Sequence, residues 1–351
     1  MLGGMWGRWP AWVPWVTAVW GVCYAGVQVG WVLAGAQLPL GPHFAFPAWV
    51  QVFLALAAVV AAVAAVRGHV PLLFVTTIVF GIGTFGSPME LVALASGSGD
   101  GVGGIALVHM ALDVLGVGPL LATLVSRLRV SRGRCPRCGR DHPGGYGGPL
   151  VHPAASTAGR GVRWTVYSAM LGVVPWAATK IVWTLGGTAL GVTGEQWRAA
   201  NAGDSALMNA LSSAGIDFTV LAAVACGLLM LSLVQRWGTR LPRLLPLPPA
   251  WLTGVSLGAY GIVLTVLSAA WLLGLVAPPA PVWPLPTATD TAWMTGFGGL
   301  AFGGLGIGLL VAAGSYAGRT RPRCAWTSLP RSHSWKTPMW CSLGTSTPPL
   351  A

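Results

Sequence analysis

The sequence predicts an all-α fold: a polytopic transmembrane helical bundle of eight helices, built as two tandem four-helix repeats. Three observations predict it. Eight apolar stretches lie between Trp9 and Ala317, each close to the ~20 residues that cross a hydrocarbon core. The basic residues fall in alternate gaps between those stretches. The first four stretches and the last four share residues at corresponding places.

Composition sets the class. Apolar residues make up 54% of the chain and charged residues 8%, with a mean hydropathy of +0.68. A soluble domain carries about a quarter charged residues, so this chain is too poor in charge for water. Alternating apolar and polar positions, the mark of a membrane β-barrel, are absent. In lipid the backbone must satisfy its own hydrogen bonds, and helices are the remaining solution.

In chain order, spans are expected near 11–35, 47–66, 70–93, 104–125, 164–186, 213–234, 250–276 and 293–316. The first is rich in tryptophan (Trp6, Trp9, Trp12, Trp15, Trp20) and no small-x-small cleavage pattern ends it. It is therefore expected to stay as a span, with its indoles at the headgroup level. The second and sixth end alike, Val66-Arg67 and Gln235-Arg236, each followed by Gly and then Pro. The last carries Gly296, Gly298, Gly299, Gly303, Gly304, Gly306 and Gly308. Its Gly299–Gly303 and Gly304–Gly308 spacings give smooth faces on which helices approach closely, within the chain or in a homo-oligomer. The expected domains are a first repeat (1–126), an Arg/Gly/Pro-rich loop (127–163), a second repeat (164–317) and an irregular tail (318–351).

The net charge of +12 does not point to nucleic acid, because of where the charge lies. Of the 20 Lys and Arg, 18 sit at the N-terminus, in every second loop or in the C-terminal tail; Lys180 lies inside a span and Arg198 lies opposite. This is the positive-inside pattern, and it predicts cytoplasmic termini with a cytoplasmic 127–163 loop. The expected partners are the bilayer and, at the basic loops, anionic headgroups.

The repeat is read from an offset of 152 between Val16 and Ser168. Tyr24 then meets Trp176, Gln28 meets Lys180, Trp31 meets Trp183 and Gly35 meets Gly187. Leu115-Gly116-Val117-Gly118 later matches Leu305-Gly306-Ile307-Gly308, and Arg134-Cys135 matches Arg323-Cys324. Two repeats of four spans share one orientation and are related by an axis along the membrane normal.

Two groups of residues can carry chemistry. Cys135 and Cys138, spaced Cys-x-x-Cys, form half of a tetrahedral zinc site, with His142 as a third ligand and His152 as an alternative. A second pair is missing: Cys324 matches Cys135, but Ala325-Trp326-Thr327 follows it. Other readings of the pair are a redox-active dithiol and unpaired cysteines in a loop. The second group is the set of ionisable residues within spans: Glu90, His109, Asp113, Lys180 and Asp217. Charge in hydrocarbon is costly, so such groups face a bundle interior or a cavity. Asp113 is deepest, nine residues or ~13 Å into its span. His109 shares its helical face, and Lys180 lies at the depth of Asp217.

Arginine outnumbers lysine 18 to 2. With that bias, the four-plus-four plan, the Trp31-x-Leu33-x-Gly35 and Trp183-x-Leu185-x-Gly187 motifs and the Cys135-x-x-Cys138-Gly139-Arg140 loop, the chain resembles uncharacterised integral membrane proteins of high-GC Gram-positive bacteria. The resemblance covers roughly 11–325 and implies a bacterial plasma membrane location but no activity. Neither Walker A nor His-Glu-x-x-His occurs. The leading expectation is a small-solute or ion permease or an envelope-associated scaffold, without a resident cofactor beyond zinc at the cysteine loop. The alternatives are an intramembrane enzyme or redox protein using His109/Asp113 or Cys135/Cys138, and a membrane protein that senses metal through its cytoplasmic loop.

Overall fold

The computed structural model describes residues 8–41, 44–88, 104–140, 150–200, 210 and 217–324. Within them the chain is mostly helical, and six helices are long and apolar enough to cross a membrane.

Among the described residues the first half holds four long helices. Helix α1 (Trp9–Leu33) opens on Pro10, whose missing N–H costs nothing in a first turn. A short hairpin, β1 (Pro39–Gly41) and β2 (Phe44–Ala45), leads to α2 (Ala48–Arg67). Helices α3 (Val70–Gly83) and α4 (Gly104–Ser131) follow. Among the described residues the third apolar stretch thus yields a 14-residue helix, ending at Gly83 where the Thr84 hydroxyl turns back on Gly81, and Ser87 and Pro88 are helical again. Helix α4 runs six residues past the expected end of its span at 125 and carries Arg127 and Arg129 beyond it. Long basic side chains tolerate this by reaching to backbone: Arg127 Nη2 donates to the Ala65 carbonyl at 3.2 Å.

After strand β3 (Leu150–Val151), the fifth span arrives in two pieces, α5 (Arg160–Leu171) and α6 (Val174–Thr184). Pro175 lacks the N–H that would bond to Leu171, so the helix breaks at Gly172-Val173. A tight hairpin of β4 (Thr188–Ala189) and β5 (Val192–Thr193) turns through Leu190 and Gly191, both at positive φ, and leads to the short α7 (Gly194–Ala200). Then come α8 (Phe218–Val234), α9 (Leu247–Leu272) and α10 (Ala288–Arg319). Helix α8, at 17 residues, is the second of two apolar helices that are shorter than the six. Strand β6 (Arg323–Cys324) pairs antiparallel with β3, Leu150 opposite Cys324.

Helix packing is concentrated within each half. One core joins Trp20, Tyr24, Phe80, Leu120 and the alanines of α2; the other joins Val166, Met230, Leu257, Leu309 and Tyr316. The side chains are sorted as lipid requires. On α2, Ala55, Ala58, Ala61, Ala62 and Ala65 face inward, while Val52, Phe53, Leu56, Val59 and Val63 are exposed. Small residues at the contact and large apolar ones outside suit association in hydrocarbon, where close backbone approach takes over from hydrophobic burial. The α9–α10 contact goes furthest: a Cβ on Gly261 would strike Gly303, and one on Gly306 would strike Gly258. The other glycine face of α10 is also taken, Gly304 lying against the Ala169 backbone of α5. These features make the chain a multi-pass protein in contact with the bilayer.

Candidate functional site

A group of buried polar residues of the first half meets between α1, α3 and α4. Asp113 is 2% exposed. Its Oδ2 lies 3.4 Å from His109 Nε2, one turn earlier on the same helix. The other ring nitrogen, Nδ1, meets Gln28 Nε2 at 3.1 Å and the Tyr24 hydroxyl at 3.3 Å, both from α1. Tyr24 and Gln28 are fully buried. Gly83 of α3 closes the third side: a Cβ there would collide with the Asp113 carboxylate. Aromatic rings wall the cluster, with Phe80 edge-on to Tyr24 at 5.0 Å between centroids and Trp31 edge-on to His109 at 6.4 Å. The Tyr24 hydroxyl also interacts with the Asp113 carboxylate, and among the described residues Asp113 Oδ1 and Gln28 Oε1 have no hydrogen-bond partner within 3.5 Å.

The second half carries a different arrangement. Lys180 of α6 is 5% exposed, and its Nζ donates to Asp217 Oδ2 at 3.0 Å. The ammonium also sits 3.7 Å from the centroid of the Trp197 ring and 5.5 Å from that of Trp176. Trp197 in turn stacks on Trp183 at 4.3 Å. Trp183 is buried and its indole N–H is shared by the carbonyls of Ala189 and Val192, which fastens the β4–β5 hairpin over α6. Asp217 caps α8: its Oδ1 accepts from the Thr219 backbone N–H at 2.8 Å and from the Thr219 hydroxyl. Every polar atom of this pair has work in the fold. An adjoining cavity of about 410 Å³ is lined by apolar side chains such as Met170, Val224 and Leu305.

A third cluster lies at the ends of the helices that carry the basic residues. Cys135, Cys138 and Cys324 are buried, and their sulfurs all lie within 4.8 Å of one another, a set that can hold a metal ion. Cys135 and Cys138 sit on a tight knuckle. Gly139 at φ +70° donates its N–H to the Cys135 carbonyl at 2.6 Å, and Cys135 N–H donates to Arg140 at 3.0 Å. That left-handed conformation suits glycine. A side chain here would also strike Arg321. Cys324 arrives on β6 from the far end of the second half. Burial first, then the neighbouring Cys138 and Cys135 sulfurs, pushes the Cys324 thiol up to about 12. Guanidiniums crowd the cluster. Arg129 Nη1 donates to the carbonyls of Pro136 and Arg137 at 3.0 and 3.2 Å. Arg243 is held below the usual guanidinium range by burial and then by Arg321.

The five ionisable residues singled out in the sequence therefore do not form one site. His109 and Asp113 meet in the first half, Lys180 and Asp217 in the second, and Glu90 lies outside the described residues. His142 also lies outside them, so its place at the cysteine pair is not described; His152 is on an extended segment after β3 and is exposed. Sequence reasoning missed Tyr24, Gln28 and Trp197 as site residues. The signal for Gln28 was its alignment with Lys180. It also passed over Cys324 as a ligand, although Arg323-Cys324 echoes Arg134-Cys135.

No protein-family model, curated protein or solved structure matches this chain.

Proposed function

We propose that the chain is a permease for a small ion or solute, with a proton-exchanging site at His109 and Asp113. It has eight spans, the two shorter apolar helices counted among them, arranged as two tandem repeats. Both termini lie in the cytoplasm of a bacterial plasma membrane, and the basic loops touch anionic headgroups. Gly26 and Gly30, which nothing described in the chain covers, offer a smooth face to a second copy.

The observation that carries this reading is the buried Asp113 carboxylate beside His109, with one oxygen unpartnered among the described residues. An isolated charge at this depth costs at least ~2.5 kcal/mol on insertion scales. The site is stable in hydrocarbon when neutral, and one proton shared by His109 and Asp113 makes it so. Gln28 serves both places for that proton. With its amide N–H on Nδ1 it supports a neutral ring whose Nε2–H faces Asp113. With the amide turned over, its oxygen accepts from a protonated Nδ1, and imidazolium faces carboxylate. Loss of the proton leaves a negative charge that a cation must replace, which is the elementary step of exchange. On the expected topology the cluster lies in the outer half of the membrane. His109, at 19% side-chain exposure, is the more accessible partner.

The test is purified protein in liposomes loaded with a pH-sensitive dye, challenged with Na⁺ or K⁺ gradients. Proton movement at least tenfold over empty liposomes, abolished in Asp113→Asn while that variant folds normally, is the expected result. Equal fluxes with the parent, the variant and empty liposomes would leave a scaffold as the better reading.

A further inference from the structure

We propose that Cys135, Cys138 and Cys324 bind one zinc ion that fastens the two helical halves to each other. The inference stands apart from the permease reading and rests on different residues.

The ligand set has the right geometry. Zinc–sulfur bonds of ~2.3 Å in a tetrahedron place sulfurs ~3.8 Å apart. Cys135 and Cys324 are already 4.0 Å apart, and each sulfur is within 4.8 Å of the other two. Small shifts of side chains close the site. Its frame is built in advance from both ends of the chain. The knuckle at Gly139 aims Cys135 and Cys138 to one side, and the β3–β6 pair holds Cys324 against Leu150.

The charge is also right. Zinc binding releases three thiol protons to solvent and leaves a complex of net charge −1. Arg321 and Arg129 crowd Gly139 within the same cluster. They supply the positive charge that a thiolate complex needs, and in the empty state they crowd one another. Among the described residues the ligand set is these three cysteines.

The position gives the site its role. Cys135 follows the last helix of the first half and Cys324 follows the last helix of the second, 189 residues apart. Among the described residues the two hydrophobic cores are distinct clusters. A single ion here closes the longest loop in the chain, where cross-linking restricts the unlinked ensemble most. Metal loss should uncouple the halves without unfolding either.

The experiment uses the full chain in detergent micelles, expressed with zinc. Metal analysis should find one zinc per chain. Cobalt in its place should give intense thiolate-to-metal charge-transfer absorption. Cys324→Ser should weaken zinc binding by more than the roughly 10–100-fold that loss of an outer-shell partner causes, while Cys226→Ser binds as the parent does. Should Cys324→Ser fail to fold, the parent protein decides. A chelator should raise maleimide labelling of Cys135, Cys138 and Cys324 at least tenfold, mapped by peptide mass, and added zinc should reverse it. Any of four results overturns the proposal: a parent without zinc or cobalt absorption, full zinc affinity in Cys324→Ser, a disulfide among the three cysteines, or Cys324 labelling that zinc does not change.

Discussion

The two intramembrane polar sites answer the same physical problem in opposite ways. In the second half, Lys180 and Asp217 neutralise each other, and aromatic rings and a helix cap take up what remains. In the first half, His109 and Asp113 meet at 3.4 Å with two acceptor oxygens left over among the described residues. A saturated pair is a lock. An unsaturated one leaves room for a proton or a cation, at the expense of stability. The proposed repeat would set Gly299 and Gly303 opposite His109 and Asp113. There the second half packs α9 directly against α10. Where one half brings backbones together, the other makes space for polar side chains.

The largest expected effect follows from breaking the lock. Lys180→Met should destabilise the protein by about 3–5 kcal/mol, because it strands a buried carboxylate. Asp217→Asn, in the same background, should recover most of that loss, since asparagine still caps α8 and no charge is left unpaired. Reversible unfolding in mixed micelles measures both. Additive losses in the double variant would mean that the pair is not coupled and that the contrast between the halves is misplaced.

A smaller effect separates packing from chemistry in the first half. Gly83→Ala should cost about 1–3 kcal/mol, as overpacking does, because its Cβ would meet the Asp113 carboxylate. Gly81→Ala, one turn-half away on α3 with nothing within 4 Å, should be neutral or stabilising, since alanine is the better helix former by up to ~1 kcal/mol. Proton movement in liposomes should fall in the first variant and persist in the second. Equal stability of the two would show that α3 does not close the site.

How much of this was legible in the sequence depends on the range of the interaction. Helix positions were, because a run of apolar residues is a local property. The shortness of α3 and the break at Gly172-Val173 were harder. The break turns on a single residue, Pro175, inside a stretch that hydropathy averages over. Lys180 and Asp217 announced themselves as charges in apolar spans, and depth alone suggested that they meet. Tyr24 and Gln28 did not, since a tyrosine or glutamine in such a helix reads as packing. Their role comes from α1 lying against α4, which no local pattern encodes. Cys324 lacked its own Cys-x-x-Cys partner, and its neighbours come from 189 residues away. The echo of Arg134-Cys135 in Arg323-Cys324 was a pointer to that contact.

The smallest expected effect tests how finely the second site is tuned. Trp197 lies with its ring centroid 3.7 Å from the Lys180 ammonium and stacks on Trp183. A desolvated cation–π contact is worth up to ~2 kcal/mol, and an aromatic pair ~0.5–1.5 kcal/mol beyond its buried area. Trp197→Leu removes both. The part owed to the cation is isolated by combining it with Lys180→Met, which removes the ammonium and its bond to Asp217. The two variants should couple by about 1 kcal/mol, with the double variant less destabilised than the sum. A matching Trp197→Phe should keep the stacking and lose part of the coupling, because benzene attracts a cation less strongly than indole. Zero coupling would assign Trp197 to the hairpin alone. The lock would then rest on the ion pair and the Asp217 cap, with the ring above Lys180 contributing only its packing.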